Sequence, residues 1–414
     1  MKNLLLALLL TTLTFSLYAQ DSTYTVRVMQ YNLLKFGDCD GVTINQKYDW
    51  LETVLNAYQP DILVVNEIFP AVPYAAGIVN LSFTFNGNVE YANFTNFGGG
   101  SIVNQIFYNA DLFGLESNTV LPSTAIRDIN IYRLFFKPTL VKPDTTYLNV
   151  IAAHLKAGSG ASDINARWTA AQDMMNWVTN NAQGENVMVA GDLNIGSASE
   201  NAFQELVATR SAAVTMVDPL GLQGGWGSST PAVMTQSPRT FSSDCGVSGG
   251  LDDRFDFILP NNAIMNNENG IAYVANSYLA YGNDGDDYND QLDCGSISVV
   301  NGSVCLAIKQ LSDHLPVVLE LEMKGARLNR GSLYLQLPVW AKFSSQELIL
   351  DIEGGDPTGY GMEVIDLQGK SLLRSRHEGR GTQRYDVSHF PKGMYVLKIT
   401  DKQGKQLSRK LVNL

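Results

Sequence analysis

The chain has 414 residues, 45% of them apolar and 17% charged, which excludes a disordered polymer and is long for a single ordinary domain. Its charge of −12 is uneven: residues 21–323 carry 13 Lys and Arg against 32 Asp and Glu, whereas residues 324–414 carry 15 against 9. The larger part therefore lacks a general basic surface for gripping a polyanion, and the change of sign marks a domain break.

Lys2, the apolar run "LLLALLLTTLTF" and "SLYAQ" with small Ala19 read as a signal peptide over residues 1–19. No later stretch is long and apolar enough to span a bilayer, so an exported protein without stable membrane insertion is expected. "QYNLL" then offers Asn32 at the end of an apolar run. "NQKYDWLETVLNAY" sets Trp50, Leu51, Val54, Leu55 and Tyr58 at helical spacing, and "QPD" stops the helix. "ILVVNE" reads as a buried strand ending on Asn66 and Glu67, with Asn66 expected to be only a strand-end residue. "TTYLNVIAAH" ends on His154, and the helix "NARWTAAQDMMNWVTNNA" follows a Gly/Ser loop. "NVMVAGDLN" carries Asp192 and Asn194. "RFDFIL" sets Asp256 between apolar neighbours, where a carboxylate is costly unless paired. "SDHLPVVLELE" places Asp313 and His314 ahead of another strand. This alternation predicts a layered α/β unit over residues 20–323.

"KGARLNRG" opens a linker over residues 324–339. From residue 340 to 414, "LILDIEG", "GMEVIDLQGKSLL", "QRYDVSHF", "GMYVLKITD" and "QLSRKLVNL" are short strands divided by Gly turns, which predicts a small β-sandwich. Cys39, Cys245, Cys294 and Cys305 allow two disulfides in an oxidising compartment. Cys294 with Cys305 is the simplest local pair, and three connectivities stay open.

If three of the apolar runs are parallel strands, their polar ends share one rim of the sheet. An antiparallel "LPVVLELE" would start on the same rim. The rim then collects Asn32, Glu67, His154, Asp192, Asn194, Asp256, Asp313 and His314. Such an oxygen-rich, cysteine-free set suits magnesium, manganese or calcium. Two imidazoles beside a hard cation suit hydrolysis of a phosphate ester, one moving a proton while the metal offsets phosphoryl charge. Taken singly the motifs are bland: His314 reads as a structural histidine and "GDLN" as a turn. Arg127 and Arg133 fit phosphate contact and exposed strand positions equally, Arg167 reads as a helix-capping or pairing residue, and Trp226 as packing rather than stacking on a base or lipid headgroup. "NDGDDYND" reads as a solvated acidic loop, and His377 and His389 have no catalytic role.

The ordered series "YNLL", "NE", "AHL", "GDLN", "RFDFIL" and "SDHLPV" resembles the endonuclease/exonuclease/phosphatase superfamily, to which pancreatic deoxyribonuclease belongs. The resemblance implies a four-layer sandwich of two mixed β-sheets flanked by helices. It implies that Glu67 is the principal metal carboxylate, with Asn32 and Asp313 completing the metal and phosphate shell. Asp256 would orient His314, which acts as general base or binds phosphate. Asp192 would position or activate the attacking water. Asn194 and His154 would donate to the transition state, with His154 a candidate general acid. The tail is similar to a type IX secretion sorting domain of the Bacteroidetes kind, carried by "EVIDLQGKSL", "DVSHFPKGMYVLKI" and "KLVNL". That implies export by the type IX machinery to the cell surface or medium.

The expected protein is thus a secreted, monomeric, magnesium-dependent phosphoric ester hydrolase (manganese or calcium replacing magnesium), acting first on nucleic acid. Its acidic balance argues against tight non-specific DNA binding but permits turnover, because bound cations screen the groove. The alternatives are a sphingomyelin or phospholipid phosphodiesterase, a phosphomonoesterase, and a catalytically inactive surface-binding protein. A lipid enzyme needs an exposed aromatic hairpin, for which "SFTFNGNVEYANFTNFGG" (82–99) is the candidate.

Overall fold

A computed structural model describes residues 20–121, 127–139, 145–208, 214–241, 244–327, 339–344, 346–352, 359–402 and 406–413. The segment read as a signal peptide and most of the expected linker lie outside these residues.

One mixed sheet runs β10 (Ile271–Tyr273), β12 (Val317–Arg327), β1 (Gln20–Phe36), β2 (Ile62–Ile68), β4 (Val103–Asn109) and β3 (Val89–Tyr91), with β11 (Leu279–Ala280) also on β12. The other runs β5 (Phe113–Leu121), β6 (Ile129–Phe136), β7 (Tyr147–His154), β8 (Asn186–Asp192) and β9 (Asp256–Pro260). Helices α1 (Ile44–Tyr58) and α6 (Gly302–Leu311) cover the first sheet, and short α2 (Val72–Gly77) lies near them. Helices α3 (Ala161–Asn181) and α4 (Asn201–Val207) cover the second, and α5 (Asn262–Met265) follows β9.

Strand alternation builds these layers. Ile62 and Val64 enter the core between the sheets, whereas Leu63 and Val65 enter the core under α1 and α6. Val150 and Ala152 face the inter-sheet core, whereas Ile151 and Ala153 face α3. Both faces of these strands are covered, so they read as continuous apolar runs. The result is the helix–sheet–sheet–helix sandwich that the resemblance implies.

Register brings the polar ends together. β1 and β2 are parallel with Asn32 opposite Asn66, and β7 and β8 are parallel with His154 opposite Asp192. β12 runs antiparallel to β1, so its start lies on the same rim. β9 runs antiparallel to β8 with Asp256 opposite Asp192. Gly191 is required here, because a Cβ on it would lie 1.8 Å from the Ala153 carbonyl oxygen.

β12 continues to Arg327 opposite Gln20, so the strand takes the first residues expected of the linker. Beyond it, β13 (Val339–Ser344), β14 (Glu347–Ile352) and β17 (Gly381–Asp386) form one antiparallel sheet. β15 (Tyr360–Asp366), β16 (Ser371–His377), β18 (Gly393–Thr400) and β19 (Gln406–Asn413) form another. Leu348, Leu350, Met362, Val364, Leu397 and Ile399 share the core of this sandwich.

Disulfides join Cys39 to Cys245 and Cys294 to Cys305. Among the described residues, no helix is long and apolar enough to cross a membrane.

Candidate active site

The end of β1 is a distorted turn. Leu34 and Lys35 have φ of 49° and 44°, a left-handed conformation that non-glycine residues rarely adopt. The Leu34 amide donates to Asn32 Oδ1 at 3.0 Å, and the Lys35 amide donates to Glu67 Oε2 at 3.0 Å. Glu67 itself has φ 60°, so it stands on constrained backbone, as does the turn that bonds Asn32.

Two carboxylates converge on shared donors. Asn32 Nδ2 donates to Asp192 Oδ2 at 3.0 Å and to Glu67 Oε1 at 3.4 Å. His154 Nε2 lies 3.3 Å from Asp192 Oδ2 and 3.8 Å from Glu67 Oε1. Behind them His314 Nδ1 meets Asp256 Oδ2 at 2.7 Å, and its Nε2 stands 3.7 Å from Asp192 Oδ2. Asn194 takes a left-handed φ of 51°, donates its amide to Asp192 Oδ1 and sets its side-chain nitrogen on the Leu155 carbonyl. Asp313 instead points its Oδ2 at the Val247 amide, 2.8 Å away, in the loop that Cys39–Cys245 ties down.

The electrostatics separate these groups. Burial pushes the Asp192 carboxyl up to about 7; His314 opposes this, and the neighbouring Asp256 and Glu67 add to it. Burial holds His154 well below the usual histidine range, helped by the positive charges of Arg127 and His314, so its ring is neutral. Burial also disfavours charge on His314, but Asp256 and Asp192 override it and raise its pKa well above the usual value. Asp192, Asp256 and His314 each offer a ligand atom within 4.8 Å of the others, the group of that kind among the described residues. With His314 held charged by Asp256, a hard divalent cation fits the oxygens of Asp192, Glu67 and Asn32 instead, where it would relieve the packed carboxylate charge that now forces Asp192 toward the neutral form.

Several contributors escaped the reading of the sequence. Asn66 is no mere strand end. It accepts from Gln30 Nε2 and from the Asp192 amide, and donates to Asn104 Oδ1 and the Ala153 carbonyl. Gln30 also donates to Asp256 Oδ1 at 3.1 Å. The signal for both was a buried amide inside an apolar strand. Gln236 faces His314 Nε2 at 2.6 Å, with an amide able to serve the neutral or charged ring; it sits in irregular chain, where no periodicity points to it. Arg133 pairs with Glu116 and Glu185, Arg167 with Glu200, and Trp226 packs on Phe203 and Phe257, all structural roles.

Residues 29–314 match the Endonuclease/Exonuclease/phosphatase family, and residues 344–413 match the secretion system C-terminal sorting domain. No curated protein matches. Among solved structures, D. rerio TDP2 complexed with single-strand DNA product is 16% identical, covering 72% of this chain and 98% of that chain with a TM-score of 0.47. The human Nocturnin catalytic domain with bound sulfate anion is 14% identical, covering 73% and 97% with a TM-score of 0.44. ANGEL2, a 2',3'-cyclic phosphatase, is 12% identical, covering 75% and 99% with a TM-score of 0.42.

Proposed function

We propose that this chain, which belongs to the endonuclease/exonuclease/phosphatase family and so is a phosphoric ester hydrolase, is a divalent-cation-dependent phosphodiesterase acting first on nucleic acid outside the cell. The observation that carries the reading is the convergence of Glu67 Oε1 and Asp192 Oδ2 on Asn32 Nδ2 and His154 Nε2, beside the His314–Asp256 pair. Glu67, Asp192 and Asn32 would hold the cation, with magnesium the first choice and Asp313 adding negative charge nearby. Such an ion neutralises charge on phosphoryl oxygens and makes water easier to deprotonate.

The protein groups divide the remaining work. Asp192, whose carboxyl the cation would hold in the charged form, is placed to position the attacking water. His314, kept charged by Asp256, binds a phosphoryl oxygen. The neutral His154 ring and the Asn194 amide donate to the oxygens that gain charge in the transition state.

A lipid substrate has less support. Within residues 82–99, Phe83 is buried and Phe85 and Phe94 pack inward, leaving Phe97 as the one exposed phenylalanine. The test is a substrate panel of plasmid, single-stranded DNA, RNA, sphingomyelin and a phosphomonoester, each with magnesium, manganese, calcium or a chelator. Cation-dependent cleavage of DNA or RNA, falling as monovalent salt rises, is expected. Survival of every nucleic acid with all three cations would overturn the reading.

A further inference from the structure

A lysine occupies the core stripe of α1. Lys47 is 1% exposed and shares its buried face with Leu51, Val54 and Leu55. Among the described residues no carboxylate lies within ion-pair distance of it. Its three ammonium protons instead meet three carbonyls, those of Leu33 (2.9 Å), Leu34 and Leu311 (3.2 Å).

Two of these carbonyls belong to the peptide units whose amides serve the active site. The Leu33–Leu34 unit gives its oxygen to Lys47 and its N–H to Asn32 Oδ1. The Leu34–Lys35 unit gives its oxygen to Lys47 and its N–H to Glu67 Oε2. Both peptide dipoles thus run from a buried cation at one end to a side chain of the proposed metal site at the other. This is the segment in left-handed conformation, which holds only where its surroundings dictate it.

The third carbonyl closes the last turn of α6, where a cation also complements the helix dipole. Directly after it, Ser312 Oγ donates to the Asn32 carbonyl at 2.6 Å and accepts from the His314 amide. One ammonium group therefore ties together the two chain segments that deliver Asn32 and His314.

We propose that Lys47 is a positioning residue of the active site, its ammonium fixing the Leu33–Lys35 peptides so that Asn32 Oδ1 and Glu67 are held in place to receive the cation. The inference rests on the cation-dependent reading above. It needs a cation at this site but not a particular substrate.

The test compares full-length wild type with K47M and K47Q. The readouts are Mn2+ binding to the substrate-free protein by electron paramagnetic resonance, thermal melting, and kcat and KM on bis(p-nitrophenyl) phosphate. Each folded variant is expected to bind Mn2+ about tenfold or more weakly, the usual cost of losing an outer support of a metal ligand. Its kcat should fall by a similar factor, with KM little changed. K47Q keeps amide donors and serves if K47M does not fold. A folded variant that binds Mn2+ as wild type does overturns the positioning role and leaves the hydrolase reading standing. Weakened Mn2+ binding in the variants, with a wild type that cleaves no phosphodiester, upholds Lys47 and overturns the substrate reading.

Discussion

At the scale of single residues, Asp192 governs the pH response. Its carboxyl is lifted from 3.8 to about 7 by burial, then by Asp256 and Glu67 against the opposing His314. The folded protein thus holds this proton more tightly than the unfolded chain, and metal-free stability falls as pH rises from about 4 toward 7. D192N should therefore melt above wild type at pH 8 without metal, and the gap should close near pH 4. Cation affinity should rise over the same interval, because the ion must displace the proton. Mn2+ titrations between pH 5.5 and 8 check this: the slope should be present in wild type and lost in D192N. For turnover, E67Q and H314A should each lose about a hundredfold or more in kcat in the folded protein, E67Q with little change in melting temperature and H314A with a lower one, because it leaves the buried Asp256 carboxylate without its imidazole partner. Unchanged turnover in both would instead favour a surface-binding protein on the same scaffold. The residues at strand ends were legible because a polar side chain terminating an apolar run has few structural excuses. Lys47 was not legible: helical spacing pointed to Trp50, which is only half-buried, while the lysine took the core position by finding three carbonyls.

At the scale of elements, the two disulfides differ in what they join. Cys294–Cys305 closes a separation of 11 residues at the start of α6. Cys39–Cys245 spans 206 residues and ties the turn after β1 to the loop whose Val247 amide holds Asp313. On chain entropy alone, opening the long link should cost about 5 kcal/mol and the short one about 3 kcal/mol, measurable by denaturant unfolding of paired Cys→Ser variants. The long-link variant should also lose activity under conditions where it remains folded, whereas the short-link variant should not. The sequence pointed to the local pair and left the distant one among three open connectivities, because residues 214–241 and 244–255 are mostly irregular and offer no period to place them. The strands themselves were legible, since cover on both faces leaves uninterrupted apolar runs such as "ILVVNE".

At the scale of the whole molecule, the sorting domain has a core of its own and meets the larger unit sparsely. Arg409, largely buried, stands 3.6 Å from the exposed Asp111, and a groove of about 690 Å³ lined by residues such as Tyr48, Glu52 and Lys342 lies between the units. Removal of residues 339–413 should therefore leave Mn2+ affinity and kcat unchanged while abolishing release to the medium. Loss of turnover in a folded truncation would show that the tail belongs to the enzyme. The charge break at residue 324 pointed to this division, although β12 carries the larger unit on to Arg327.

Asn32 and His314 are 282 positions apart, yet both press on Asp192. A ribosome must therefore deliver almost the entire larger unit before any reactive centre exists. If the nucleic-acid reading proposed above holds, the producing cell's own chromosome and transcripts would meet only an inert nascent chain, and cytoplasmic fragments ending before His314 should be harmless to the host that makes them.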